Sequence, residues 1–376
     1  MKFLTNNPGS VTAFAAVAVL IVGGFAGVSL LWTLLVSFAL IVLGATMVNG
    51  TYVLRRLLIV IPTVFAVTAF TFWLQNSRGD KRDLAFILLG PGATESGVDR
   101  IMREFHLDKP MYERYLIWLS DALRGDLGRS AISSQEVSST IGTAIPVSLQ
   151  LMLYAQIIAL LIAVPMGVYA AYKANKRGDR VASTLALTGL SVPNYVLAVV
   201  LILFFALGGL SVFGNEVGVT WLPASRYVFF GDSPVEHFKH MALPTLALAF
   251  AQSATYMRVL RSDMISTLQE NFITTAKAKG VPDRRILWGH ALRPSSFTLL
   301  TVFGLSVATL VGGALVIEQI FTLPGLGGVI GNAIFQKDFL VVQGVVVVIA
   351  LGFIVLNFLV DLLYAVLDPR VRHVRA

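Results

Sequence analysis

Cysteine is absent from all 376 residues, which excludes disulfides, thiolate metal ligands and cysteine catalysis while leaving the compartment open. Charge is scarce, with 13% of residues charged against 56% hydrophobic. At a mean hydropathy of +0.77, the chain is too apolar for a water-soluble domain and belongs in lipid. No GxxxxGK[ST] loop occurs, so no segment of that kind cradles nucleotide phosphates. The five histidines form no HExxH motif, so no resident metal is expected. An intramembrane enzyme needs a carboxylate pair, a Ser and His combination or metal ligands at bilayer depth. Asp361 is the single acidic residue well inside an apolar window, and catalysis is not expected. Long apolar alternation typical of a barrel is also missing, which leaves helices to satisfy the backbone in lipid.

What is present is a series of long apolar windows. A helical crossing takes about 20 residues, because the helix rises about 1.5 Å per residue and the hydrocarbon core is about 30 Å thick. Six windows qualify, near 57 to 75, 146 to 172, 182 to 210, 241 to 258, 296 to 317 and 342 to 366. A further uncharged run over 11 to 48 is too long for one upright helix, and Gly23, Gly24, Gly27 and Ser29 mark a turn within it. One long tilted segment is the alternative. A signal peptide does not fit, since no small-residue cleavage site ends a short apolar run. The first 50 residues are therefore read as a retained transmembrane hairpin, and 51–376 as the main domain.

Lys and Arg set the orientation. Placing Arg55 and Arg56 in the cytoplasm puts the loops 173–181 and 259–295 and the C-terminal tail inside as well. Basic residues then outnumber acidic ones inside, and the reverse holds outside. A hairpin crosses twice and preserves this orientation, with both termini cytoplasmic. The pI near 9.8 follows from this topology rather than from nucleic-acid binding, because the basic residues lie in short loops at span ends.

The longest polar stretch, 76–145, falls outside. It carries apolar residues at helical spacing, namely Ile101, Met102 and Phe105, then Tyr115, Leu116, Leu119 and Leu123, with Pro110 between. Two short amphipathic helices are expected there, forming either a contact surface for a binding protein or a structured loop over the span ends.

The stretch NFITTAKAKGVPDRRILWGHALRPS, residues 271 to 295, resembles the cytoplasmic coupling loop of bacterial ABC importer permeases. The pattern of Glu-Ala-Ala, three residues, Gly, about nine residues and a later Pro falls on Thr274, Thr275, Ala276, Gly280, His290 and Pro294. Thr replaces the leading Glu and the first Ala. YVLRRLLIVIP at 52 to 62, LDKPMYERYLIWL followed by RGDLGRS at 124 to 130, TWLPAS at 220 to 225, TLPGLGGVIGNAI at 322 to 334 and NFLVDLLYAVLDPRVR at 357 to 372 continue the likeness in order. Together they resemble the dipeptide and oligopeptide ABC permeases over about residues 51 to 373; the first 50 residues have no counterpart.

The resemblance implies an all-α polytopic membrane protein with a six-span type I importer core, here with an extra N-terminal transmembrane hairpin. It implies a bacterial cytoplasmic-membrane location. It also implies a second homologous permease, two ATPase subunits or domains, and an extracytoplasmic substrate-binding protein as partners, with peptide as cargo. ATP and Mg would be used by the partner ATPase and no cofactor held by this chain. Nickel, glutathione and oligosaccharides are alternative cargoes of the same branch. In that picture Thr274, Thr275, Ala276, Lys277, Gly280, Arg284, Arg285 and His290 form the coupling element. Ala276 permits close approach, Gly280 a turn with positive φ, and Pro282 a stop to the helix. Lys277, Lys279, Arg284 and Arg285 face either acidic groups of the ATPase or anionic membrane lipid.

Uncharged polar residues within the windows are the pathway candidates: Gln150, Asn194 and Gln252, with Pro193 as a kink, and Gln156 and Asn357 in addition. Helix-to-helix hydrogen bonding explains them equally well. Asp361 is expected to pair with Arg55 or Arg56, and Glu318 to fix the loop FTLPGLG that follows it. An ion-coupled secondary transporter is the competing class, but intramembrane charges for ion coupling and inverted halves with broken helices are not evident.

Overall fold

The computed structural model describes residues 58, 61–75, 77, 94–104, 106–208, 210–212, 215–217 and 220–367, of which 101, 104, 210–212, 215–217, 308 and 358–367 are described by backbone alone. The expected hairpin over 1–50 and the expected pairing of Asp361 with Arg55 or Arg56 therefore lie outside the described residues. The fold is almost entirely helical. Contacts divide it into two compact units, one holding the described residues up to Pro146 together with Val329–Leu362, the other Val147–Gly328 with the residues after 362.

In the first unit, α1 (Ile61–Gln75) precedes the two expected short helices, α2 (Glu95–Glu104) and α3 (Met111–Leu123). Pro110 separates them as expected. Its φ of −58° and ψ of 150° cap α3, where the missing N–H costs nothing because the first turn has no acceptor for it. The buried face of α3 differs from the expected one. Tyr115 and Trp118 are buried, packed with Phe72 of α1 and Val347, whereas Leu116 and Leu123 are exposed. Positions 115, 118, 119 and 122 form a stripe at i, i+3, i+4 and i+7, and residues 116 and 123 lie roughly a quarter turn off it. The Thr68 hydroxyl meets the Tyr115 hydroxyl at 2.8 Å, and the Gln343 amide donates to the Thr68 carbonyl at 2.9 Å. Ser130 donates to Asp338 at 2.5 Å, tying the RGDLGRS turn to the segment just ahead of Phe339.

Helix α4 (Val137–Tyr172) continues into the second unit, which also holds α5 (Arg177–Ser191), α6 (Asn194–Phe205), a hairpin of β1 (Leu210–Val212) and β2 (Asn215–Val217), and α7 (Pro234–Thr267). The strands pair antiparallel with Ser211 opposite Glu216, a small departure from the all-α expectation. Then come α8 (Asn271–Ala278), α9 (Asp283–Arg285), a wide π-type turn over Ile286–Ala291, α10 (Leu292–Ile320) and α11 (Leu326–Gln336), which runs back into the first unit ahead of α12 (Phe339–Leu367).

The window 182 to 210 is not one straight span. It breaks at Pro193 into α5 and α6, which are bent by 103°. Pro193 disfavours helical backbone in the residue before it, and Val192 is accordingly extended at φ −90° and ψ 118°. Among the described residues, Val137–Tyr172 and Phe339–Asn357 are long and apolar enough to cross a membrane, and up to four helical segments are if each bent pair is one span. Helix α7 is long but not among them. It carries a buried face that includes His237, Thr245, Ser253 and Tyr256, and a helix shielded by its neighbours α5, α6 and α10 has no need of uniform apolarity.

Candidate transport pathway and coupling loop

The segment expected to couple to an ATPase starts where α7 ends. Thr267 and Ser295 hydroxyls meet at 2.9 Å and close the base of the excursion between them. From there α8 rests on one buried side chain, Ile273, and Ile286 and Ala291 of the next turns are buried likewise. Thr274, Thr275 and Lys277 are exposed on α8, and Ala276 is half-buried.

The helix then stops for a definable reason. Gly280 has φ +72°, its N–H bonds to the Lys277 carbonyl at 2.9 Å, and the Val281 N–H bonds to the Ala276 carbonyl at 3.1 Å. These two bonds form a Schellman cap, which favours glycine because a Cβ is strained in the left-handed region. Pro282 then caps α9 at φ −67° and ψ 146°. Arg284, Arg285 and His290 are all exposed, as are Phe272 and Trp288. The π-type turn precedes Pro294, whose ring removes the N–H that an α-helix would give to His290 and crowds that carbonyl, so the backbone widens there. On the other side, the Tyr172 hydroxyl at the end of α4 donates to Asp283 at 3.0 Å. The expected coupling residues thus lie along one exposed, capped excursion.

The pathway candidates are not gathered in the same way. Gln150 accepts from the Tyr227 hydroxyl at 2.7 Å. Asn194, half-buried, sits where a Cβ on Gly313 would come within 3.4 Å of its amide nitrogen, so it marks a close approach of α6 and α10. Gln252 is half-buried on α7, and Pro193 is exposed at the helix break. Asn357 turns its amide back to the Phe353 carbonyl at 2.9 Å.

Gln156 makes the helix-to-helix hydrogen bond that was one of its two expected roles, at a polar junction of α4, α7 and α10 whose other members, Tyr256 and Ser306, sequence reasoning did not single out. There the fully buried Tyr256 donates to Gln156 at 2.6 Å and meets the Ser306 hydroxyl. Replacing Tyr256 with Phe should cost about 1–2 kcal/mol, because Gln156 keeps a buried carbonyl without its donor. Urea or SDS titration of the purified chain measures this, and an unchanged midpoint refutes it.

A second missed group is Asp179. Its carboxylate is 3% exposed and takes two bonds from Arg261, at 2.5 and 2.7 Å. It also accepts from the Asn175 N–H at 2.8 Å and the Ser183 hydroxyl at 3.2 Å. The Arg261 hydrogen bonds hold its pKa down at about 2 against the burial that opposes them. The residues are 82 positions apart, beyond any periodicity, and the one available signal was their shared membership of the loops placed inside.

Glu318 behaves as expected. It is fully buried, accepts from the Gly327 N–H at 2.7 Å, and its backbone carbonyl accepts from Leu323 at 2.9 Å. The neighbouring Gln319 donates to the Gly327 carbonyl at 2.7 Å. Among the described residues no cluster of metal-ligating side chains occurs.

A mostly helical chain with helices long and apolar enough to cross a membrane, and with a capped polar excursion between α7 and α10, has the makings of a polytopic membrane protein. The family described as the binding-protein-dependent transport system inner membrane component matches residues 163–373, and the chain belongs to that family. A Brucella abortus protein provisionally named a peptide transport system permease is 37% identical over 321 residues, covering 85% of this chain and 98% of its own. The oligopeptide transport system permease protein of Bacillus subtilis is 31% identical, covering 86% and 99%. A glutathione transport system permease protein of Escherichia coli is 32% identical, covering 86% and 99%. The chain is thus an inner-membrane permease component of an ABC transport system.

Proposed function

We propose that this permease imports peptides. It would pair with a second homologous permease, two ATPase subunits or domains and an extracytoplasmic substrate-binding protein, with the pathway at the interface of the two permeases. The six-span core, the extra N-terminal hairpin and cytoplasmic termini belong to the same proposal. So does the division of labour in which ATP and Mg are handled by the partner ATPase and no catalysis falls to this chain. The reading is supported by the names of the relatives and by one structural observation: α8 ends in a rigid glycine cap held between buried anchors at Ile273 and Ile286. A short element that transmits motion must move as one body, and this cap fixes its length and direction. Thr274, Thr275, Ala276, Lys277, Gly280, Arg284, Arg285 and His290 would form the face toward the ATPase. Gln150, Pro193, Asn194 and Gln252 are the proposed pathway positions.

The test is ATP-dependent uptake of labelled short peptides by vesicles holding the assembled transporter. Gly280→Pro removes the N–H given to Lys277 and forces φ to a negative value, a penalty of about 3 kcal/mol or more. Each factor of ten needs only about 1.4 kcal/mol, so uptake should fall roughly tenfold or more while the complex still assembles. Uptake that ignores both ATP and the substitution overturns the coupling role and favours an ion-coupled carrier. Because one relative is named for glutathione, glutathione uptake is measured beside di- and oligopeptides. ATP-driven activity without transport of any of them removes peptide as the cargo.

A further inference from the structure

The first unit contains a cavity of about 310 Å³ between α1, α3, the RGDLGRS turn and the start of α12. That volume is at the lower end of small-molecule sites. Its lining includes Gln75, Arg114, Trp118, Asp121 and Gln343. Four polar atoms of these side chains are buried without a hydrogen-bond partner among the described residues: Gln75 Nε2, Arg114 Nε, Trp118 Nε1 and Gln343 Oε1. Trp118 is 7% exposed and Gln343 1%. Leaving such atoms unpaired costs on the order of 1–3 kcal/mol each, so several around one cavity call for a compensating partner.

The set has a definite chemistry. Three are N–H donors on two different helices, and one of them belongs to a guanidinium. The single acceptor is oriented by the rest of its own side chain, since Gln343 Nε2 is committed to the Thr68 carbonyl at 2.9 Å. Trp118 is fixed in the packed aromatic group with Phe72 and Tyr115, and the Arg114 guanidinium stands 5.7 Å over the Phe72 ring. Burial lowers the Arg114 pKa, with Asp108 acting in the opposite sense. A buried cationic donor calls for an anionic acceptor. Gln343 Oε1 and the Asp121 carboxylate supply acceptors for a donor on the same ligand.

We propose that this cavity is a binding site for a small zwitterionic α-amino carboxylate, an amino acid or dipeptide. Its carboxylate is held by Arg114, Trp118 and Gln75, and its ammonium or amide N–H by Gln343 and Asp121. The site goes beyond the import reading: binding here is a property of this unit and does not require that peptides be the cargo.

The probe is dialanine, titrated calorimetrically into the purified full-length permease in nanodiscs, with C-terminally amidated and N-acetylated dialanine alongside. Saturable dialanine binding is expected, weakened about tenfold by amidation and by Trp118→Phe, which keeps the ring and removes the N–H. Gln75→Met, on a different helix, should weaken it in the same direction, so that the result does not depend on one variant folding. Each variant is first shown to keep the wild-type elution profile and unfolding midpoint. No saturable binding to the wild type overturns the proposal, as does binding indifferent to amidation and to both substitutions. A site filled only by water gives the first of these outcomes, as does one held by a phospholipid that neither peptide form displaces. The readout is binding and not transport, so failure here leaves the import reading standing and failure of import leaves this site standing.

Discussion

Asp179→Ala is expected to destabilise the chain by about 2 kcal/mol, because it leaves the partly exposed Arg261 without its two charge-assisted hydrogen bonds. The Asn175 N–H loses its acceptor as well, at a position where φ is +64°. SDS or urea titration reads the loss, and a change below about 1 kcal/mol places the pair among ordinary surface bridges. The same carboxylate predicts a pH dependence. Its folded pKa of about 2 lies below the ordinary carboxylate value of 3.8, so the folded state favours the charged form. The stabilisation is fully present above the unfolded pKa and is lost as pH falls from near 4 through about 2. A shift of this size corresponds to about 2 kcal/mol at neutral pH. Removal of Asp179 should therefore flatten the stability profile between about pH 4 and pH 2, and a wild-type profile already flat there refutes the linkage.

Gly327→Ala should cost about 3 kcal/mol, at the upper end for overpacking. A Cβ there would run into the backbone of Leu315, which cannot swing away as a side chain does. The displacement would also pull the Gly327 N–H from Glu318, a 2.7 Å bond to a fully buried carboxylate. Gly312→Ala is the matched control. A Cβ at Gly312 meets nothing within 4 Å, and in a helix alanine is favoured over glycine by about 1 kcal/mol. The prediction fails if the two substitutions shift the unfolding midpoint alike.

The two short helices flanking Pro110 are legible in the sequence because a proline stop and helical spacing are local signals. The Schellman cap at Gly280 is legible for the same reason: a glycine after a helical run and a proline two residues on is a stop written in adjacent residues. The face of α3 is less legible, since Leu116 and Trp118 are both apolar and only the position of Phe72 decides which is covered. Pro193 signals a kink within one span. Its effect is larger, because Val192 takes the extended backbone that a following proline favours and the helix breaks outright.

Composition determined that this chain is helical and membrane-bound, since 56% hydrophobic and 13% charged residues leave no soluble alternative and lipid demands internally satisfied backbone. Motif order determined the family. Tertiary structure alone decided which polar residues meet: Asp179 with Arg261, Tyr256 with Gln156 and Ser306. It alone placed the atoms of Gln75, Arg114, Trp118 and Gln343 that lack partners among the described residues around one cavity. Partners that lie 50 to 100 positions apart share no local pattern, and only the packing of helices brings them within hydrogen-bonding distance.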